Sequence, residues 1–497
     1  MNDILDRIQE VLTYNPEQPM IFSSGLFLFL FLGFTFTYML LSKKLTARML
    51  FVTAFSYYFY YKSSGHYFFI LALVTISDFL IAKQIHRFRQ RDDSKRRAKM
   101  FVALSLLADL GLLFYFKYTN FFAGMFTTMV GNNFQPWDIF LPVGISFFTF
   151  QSLSYTIDIY RGTLKPLPSL LDYAFYVSFF PQLVAGPIVR ASDFVPQIRK
   201  PIHISRDMFA RGVYFIIIGL CKKSIISDYI SLNFVDRIFD DPRLYSGVEN
   251  LLGLYGYALQ LYCDFSGYSD MAIGIALLLG FKFPMNFNAP YKAESITDFW
   301  RRWHISLSSW IRDYVYISLG GNRRGKWRNY WNLFITMTLC GLWHGAGINF
   351  VVWGAMHGAA CVIHKILRTE VFRHDKHYHS RNLKRFFAVA LTFHFWVFTC
   401  IFFRNTSFET TSVQINQLLT AFHPELFWQV VSGYKYVFLF VALGYLSHYL
   451  PDKWQEGIIF GLKRCNVAVH ALLIVAVIYV VIQIKSSDIQ PFIYFQF

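Results

Sequence analysis

The stretch Asn332-Leu-Phe-Ile-Thr-Met-Thr-Leu-Cys-Gly-Leu-Trp-His344-Gly-Ala-Gly-Ile-Asn-Phe-Val-Val-Trp353 contains no Asp, Glu, Lys or Arg. A helix that crosses a bilayer needs roughly 17–25 predominantly apolar residues, and this run supplies them. His344 is the exception within it. A titratable side chain at membrane depth is costly and marks a functional site by default. Imidazole also titrates nearest neutral pH and suits proton transfer. His344 is therefore the first candidate for a catalytic base, the alternative being an interhelical hydrogen bond.

Outward from this run, apolar blocks recur near 21–42, 49–61, 66–82, 100–116, 139–158, 208–221, 248–262, 271–283, 331–352, 386–403, 434–450 and 467–484. The chain is 55% hydrophobic and only 15% charged, where soluble domains carry about one quarter charged residues. The expected fold is an all-α polytopic integral membrane protein with about ten to thirteen helical spans, the shorter blocks being re-entrant or tilted. The net charge of +17 gathers in connections, from Lys83 to Lys99 and from Lys365 to Arg385. That is the positive-inside pattern rather than a nucleic-acid surface. It places the 83–99 and Lys43-Lys44 loops in the cytoplasm and the acidic N-terminal segment (Asp3, Asp6, Glu10, Glu17) outside. Lys222 and Lys223 break the alternation, so sidedness is not assigned beyond residue 220. No cleavable signal is expected, since the N-terminus lacks a basic region.

Cys221, Cys263, Cys340, Cys361, Cys400 and Cys465 form no CxxC pair and read as small buried hydrophobes. His374, His377 and His379 share a basic polar loop without a closing ligand set, so no metal site is expected. No Walker loop or paired carboxylate dyad is present, which argues against ATP-driven transport and glycosidase chemistry.

Longer polar or amphipathic regions, Tyr160 to Arg211 and Lys282 to Tyr330, interrupt the apolar blocks. Segments of this kind line cavities or lie on the interface. In the second region Ser295-Ile-Thr-Asp298 fits a capping box. From there Trp300, Trp303, Leu307, Trp310, Ile311 and Tyr314 recur at helical spacing, drawing the apolar stripe of one amphipathic helix that runs on until Gly320-Gly321 stops it. His304 sits beside the stripe. Like His357 in Trp353-Gly-Ala-Met-His357-Gly, it reads on its own as structural more readily than as catalytic.

Taken together, several blocks carry a family resemblance. They are Gly144-Ile-Ser-Phe-Phe-Thr-Phe-Gln151-Ser-Leu-Ser-Tyr155, Phe180-Pro-Gln-Leu-Val-Ala-Gly186-Pro-Ile-Val-Arg190, Tyr262-Cys-Asp264-Phe-Ser-Gly-Tyr268-Ser-Asp270, Asn286-Phe-Asn-Ala-Pro-Tyr291, Asp298-Phe-Trp-Arg-Arg-Trp-His304-Ile-Ser-Leu-Ser308 and Gly341-Leu-Trp-His344-Gly-Ala. In this order they resemble the membrane-bound O-acyltransferase family, in particular its bacterial polysaccharide branch. The resemblance implies a many-helix fold around a tunnel or funnel, and a single membrane-embedded domain over 20–497 with its motif core at about 140–365. Residues 1–19 stand before the family's usual beginning as an added outer-face segment.

The resemblance further implies that His344 matches the family's essential histidine and His304 the second histidine of the upstream motif. It implies an acyl thioester donor, acetyl-CoA or alternatively a carrier-protein thioester, with no bound cofactor. The acceptor would be a polysaccharide hydroxyl or a periplasmic or extracellular acyltransferase partner, and the location a bacterial inner membrane. A sister branch transfers D-alanine toward teichoic acid; it usually has an acidic residue where this chain has Val189, which favours the acetyl branch.

The chemistry then asks for a base, a partner that fixes its tautomer, oxyanion donors and phosphate contacts. Asp264, Tyr268 and His304 are candidate partners of His344. Trp343, Ser306 and Ser308 are candidate oxyanion donors. Arg301 and Arg302, and with them Arg323, Arg324, Lys326 and Arg328, can meet the donor's phosphates, although contact with membrane lipid headgroups explains 323–328 better. Gln151 and Tyr155 are substrate-binding candidates. Asp264 and Asp270 need counter-charges in an apolar setting, for which Arg190 is a candidate. The rival reading from another class is a proton-coupled transporter of lipid-linked sugars, but the internal hydropathy repeat such a protein would show is missing.

Overall fold

The structure, a computed structural model, describes residues 6, 9–16, 19–91, 94–373 and 382–484. Asp3, Glu17 and the His374, His377 and His379 loop lie outside the described residues. Among the described residues every regular element is helical. Helices are what lipid demands, because each backbone polar group must find its partner within the segment.

By length and apolarity Leu45–Arg89, Lys95–Met129, Ile348–Val371, Leu383–Arg404 and Val467–Ile484 qualify as membrane spans. The pair Pro424–Gly433 and Lys435–Tyr449, bent by 94°, adds a broken span or re-entrant loop. The outer faces of these helices expose Phe69, Leu73, Leu107, Leu391 and Leu472, surfaces suited to lipid chains. The protein is a multi-pass membrane protein. Fewer helices meet this criterion than the ten to thirteen helical spans expected, and Gly247–Leu278 shows one reason. It is 32 residues long, yet it buries Asn250, Gln260, Asp264, Ser266, Ser269 and Asp270, which lower its apolarity below that of a lipid-facing span.

The chain groups into two compact units, Met1–Ile216 with Met271–Pro284 and Ile217–Asp270 with Met285–Phe495. In the first unit α1 (Gly25–Leu40), α2 (Leu45–Ser64), α3 (Phe68–Arg89), α4 (Lys95–Leu113), α5 (Ile145–Arg161) and α6 (Leu170–Ser178) carry most of the packing. Phe180 is the hub of an aromatic core, its ring within 5.1–6.5 Å of Phe22, Phe27, Phe31, Phe34, Phe55 and Phe59. The N-terminal segment docks on α2. Lys62, nearly fully buried, donates to the Val11 carbonyl at 2.9 Å and to the Thr13 carbonyl. Tyr58 donates to the Leu12 carbonyl at 3.2 Å. An ammonium is well placed against such helix-end carbonyls.

Asp78 on α3 and Asp109 on α4 are both buried, and Ser105 donates to Asp78 at 3.1 Å.

In the second unit the relevant elements are α7 (Gly247–Leu278), most of which belongs here, α8 (Ile296–Arg302), α9 (Ile305–Ile311), α10 (Lys326–His344), α11 (Ile348–Ile366) and α12 (Asn382–Arg404). Helices α10 and α11 form a hairpin, with α8 and α12 against α11.

Candidate active site

The α10–α11 hairpin owes its closeness to glycine. A Cβ on Gly341 would lie 2.2 Å from the Phe350 carbonyl oxygen, and one on Gly354 would lie 2.6 Å from that of Met337. Gly358, one helical turn beyond Gly354, faces the Phe334 carbonyl at 3.0 Å by the same measure. Small residues at this spacing let helix backbones touch, the usual device of helix pairs in lipid. The contact fixes His344, the last residue of α10.

His344 is buried at 1% exposure among aromatic rings. Trp353 meets its imidazole edge-on with centroids 5.2 Å apart, Phe403 does so at 5.3 Å, and Trp343 lies at 4.9 Å. Trp343 also lies 6.1 Å from the ring of His304. One indole thus touches both candidate histidines and brings them into one site.

His304 stands in a turn that the sequence reading missed. The capping box is present: the Ser295 side chain accepts from the Asp298 amide at 3.2 Å. The reciprocal bond goes to the amide of Glu294 at 3.4 Å rather than to that of Ser295. The predicted stripe is also buried throughout, from Trp300 to Tyr314. The single helix is not observed. It breaks after Arg302, with Trp303 extended and His304 left-handed at φ 43° and ψ 56°. A residue bearing a Cβ pays strain in that region, and such residues cluster at functional sites. His304 is fully buried and meets Phe265 edge-on at 4.5 Å. Burial pushes its imidazole down to about 3, so the ring is neutral at ordinary pH.

His357 is different. The Trp300 indole donates to its Nδ1 at 3.3 Å. Thr399 spends its own proton on the Trp396 carbonyl at 2.8 Å. The 3.1 Å contact between His357 Nε2 and Thr399 Oγ1 is therefore donated by the imidazole. Both nitrogens are committed, which assigns the Nε2–H tautomer and a structural role.

The acidic residues of α7 find lysines. Lys223 contacts Asp264 at 2.5 Å and Asp228 at 2.7 Å, while Lys222 contacts Asp270 at 2.7 Å. Gly267 permits the approach, since a Cβ there would sit 2.8 Å from the Gly219 carbonyl. Lys222 and Lys223, which looked like interruptions of a loop-charge pattern, are internal cations in a π-helical stretch, Cys221–Ser227. Tyr268, on the same helix, is buried at 1% exposure.

The remaining candidates are placed as follows. Ser308 donates to the Trp303 carbonyl at 3.2 Å and Ser306 to Asn286 at 2.9 Å, so both hydroxyl protons are used locally. Arg302 pairs with Asp298 at 2.9 Å; Arg301 is exposed and makes no ion pair among the described residues. Lys326 lies 3.6 Å from Glu370, and Arg323, Arg324 and Arg328 are exposed. Gln151 and Tyr155 lie on α5 in the first unit, both buried. Tyr155 accepts from the Leu167 amide at 2.8 Å. The Gln151 amide has no hydrogen-bond partner at either atom among the described residues, the condition of a group that meets a ligand or water. Sequence reasoning missed Phe403 and Phe265 as walls of the site, because an aromatic in an apolar helix carries no distinguishing mark.

The model of the membrane-bound O-acyltransferase family matches residues 161–408, a range that holds His304 and His344 and leaves out Gln151 and Tyr155. The chain is 35% identical over 503 residues to a probable alginate O-acetylase of Pseudomonas putida, covering 96% of this chain and 100% of the relative. It is 43% identical over 352 residues to the corresponding protein of Pseudomonas aeruginosa, covering 70% and 66%. It is also 36% identical over 421 residues to a peptidoglycan O-acetyltransferase of Helicobacter pylori, covering 79% and 78%.

Proposed function

As the chain belongs to the membrane-bound O-acyltransferase family, we propose that this O-acyltransferase moves an acetyl or other short acyl group from a cytoplasmic thioester toward an extracytoplasmic hydroxyl. The acceptor is a polysaccharide or a partner protein that completes the transfer, and the setting is a bacterial inner membrane. The observation that carries the reading is the placement of two buried histidines against one indole, Trp343, within aromatic walls.

In this reading His344 takes the proton of the attacking hydroxyl as its oxygen bonds to the thioester carbon. The carbon–sulfur bond then breaks, and the imidazolium returns its proton to the leaving thiolate. Imidazole and its conjugate acid suit these two steps in turn near pH 7. His304, held neutral by burial, positions or polarises a reactant. The aromatic walls exclude water, which would otherwise hydrolyse the thioester. Exposed Arg301 can meet a phosphate of acetyl-CoA or of a carrier protein's prosthetic arm.

The test follows labelled acetyl-CoA in inverted membrane vesicles, with an acetylated carrier protein in parallel. Label transferred into ester-linked material, dependent on the protein, is expected from at least one donor. Protein-dependent sugar-lipid transport without consumption of either thioester would overturn the reading in favour of the transporter.

A further inference from the structure

We propose that Asn286 is a positioning residue for His304, capping from a separate segment the helix that His304 opens. The proposal rests on the reading of His304 as a participant in acyl transfer. An N-cap residue is usually Ser, Thr, Asp or Asn, whose own side chain satisfies the first orphan amides of the helix. His304 occupies the N-cap of α9 and makes no side-chain cap bond. Asn286 does that work instead. Its carbonyl accepts from the Ile305 amide at 2.9 Å. Its Oδ1 accepts from the Ser306 amide at 3.2 Å and from the Ser306 hydroxyl at 2.9 Å. Its Nδ2 donates to Ser269 on α7 at 3.1 Å, and its side chain is fully buried.

On the other side of the turn, the Asn288 amide donates to the Arg302 carbonyl at 2.9 Å. The 286–288 segment therefore clasps the chain on both sides of Trp303 and His304. A left-handed conformation at a residue with a Cβ persists only where the surroundings over-determine it, and this clasp supplies that determination. Released from it, the turn relaxes toward right-handed geometry and the imidazole swings away from Trp343. Because the cap comes from Asn286, a histidine can stand where a capping side chain would otherwise be required.

The test measures steady-state acetyl transfer for Asn286→Ala, Asn286→Asp and Ser306→Ala, each in the parent and in a His304→Gln background. Amounts are matched by monodisperse, detergent-extracted protein. Asn286→Ala is expected to lower kcat about 10²-fold, the usual cost of an ångström-scale misplacement, with KM for acetyl-CoA near the parent's. Asn286→Asp, which keeps the acceptor for Ser306, is expected to recover most of that loss. None of the three should lower turnover further once His304 is Gln, because their effect runs through it.

Equal losses in both backgrounds would make Asn286 a residue of the fold and overturn the proposal, as would parent-level activity of Asn286→Ala. Parent-level activity of His304→Gln alone would overturn the reading of His304 itself, a separate and recognisable outcome. Should Asn286→Ala not fold, Ser306→Ala carries the same cycle. It removes one donor to Asn286 and is expected to lower kcat roughly threefold to tenfold in the parent only.

Discussion

Two buried polar regions of the second unit differ in what lines them. Around α7 both carboxylates have charged partners, Asp264 with Lys223 and Asp270 with Lys222. His357 follows the same logic with neutral partners, Trp300 and Thr399. Around His344 and His304 the walls are rings: Trp353, Phe403, Trp343 and Phe265. Burial is the same in both regions, so burial does not mark the site. The α7 carboxylates are held in ion pairs that tie helices together, whereas His344 and His304 are set among rings that wall them from solvent.

The contrast can be broken first at Lys223. Lys223→Met leaves Asp264 and Asp228 buried without their cation, a loss of about 3–5 kcal/mol. A fall in detergent-resistant folded protein should measure it, while the protein that does fold turns over within severalfold of the parent. A fully folded but inactive variant would move the α7 pairs into the catalytic machinery. His357→Phe should cost less, about 1–3 kcal/mol for the unpaired Trp300 indole. Thermal unfolding in detergent checks this, with turnover per folded molecule expected to stay close to the parent's.

The smallest expected effect concerns pH. His304 has a folded-state value near 3 against about 6.5 unfolded. The unfolded chain therefore binds the extra proton between these values, and stability falls as pH drops below about 6.5. From pH 6.5 to 5 the loss is about 1–2 kcal/mol. The fall should be shallower by about that amount in His304→Gln, as unfolding temperatures across that range would show.

Much of this was legible in the sequence where chemistry is local. The Ser295 cap and the buried stripe from Trp300 to Tyr314 follow from spacing alone, as does the apolar run that isolates His344. What the sequence hid was decided by other parts of the chain. A left-handed His304 depends on Asn286, so helical periodicity ran straight through a break. Lys222 and Lys223 read only as breaks in the charge alternation, because a cation in an apolar block is ambiguous until its carboxylate is placed. The hairpin glycines Gly341 and Gly354 stood in plain view, but their facing carbonyls did not.

The central claim is that His344 serves as the base, and it is met most directly by one comparison. Acetyl transfer from labelled acetyl-CoA, or from the carrier thioester if that is the active donor, is measured for His344→Gln and His357→Gln at equal folded protein. The account predicts a loss of about 10²–10⁴-fold for His344→Gln, the range for removing a general base, and at most a severalfold change for His357→Gln. Equal turnover by His344→Gln and the parent would contradict it.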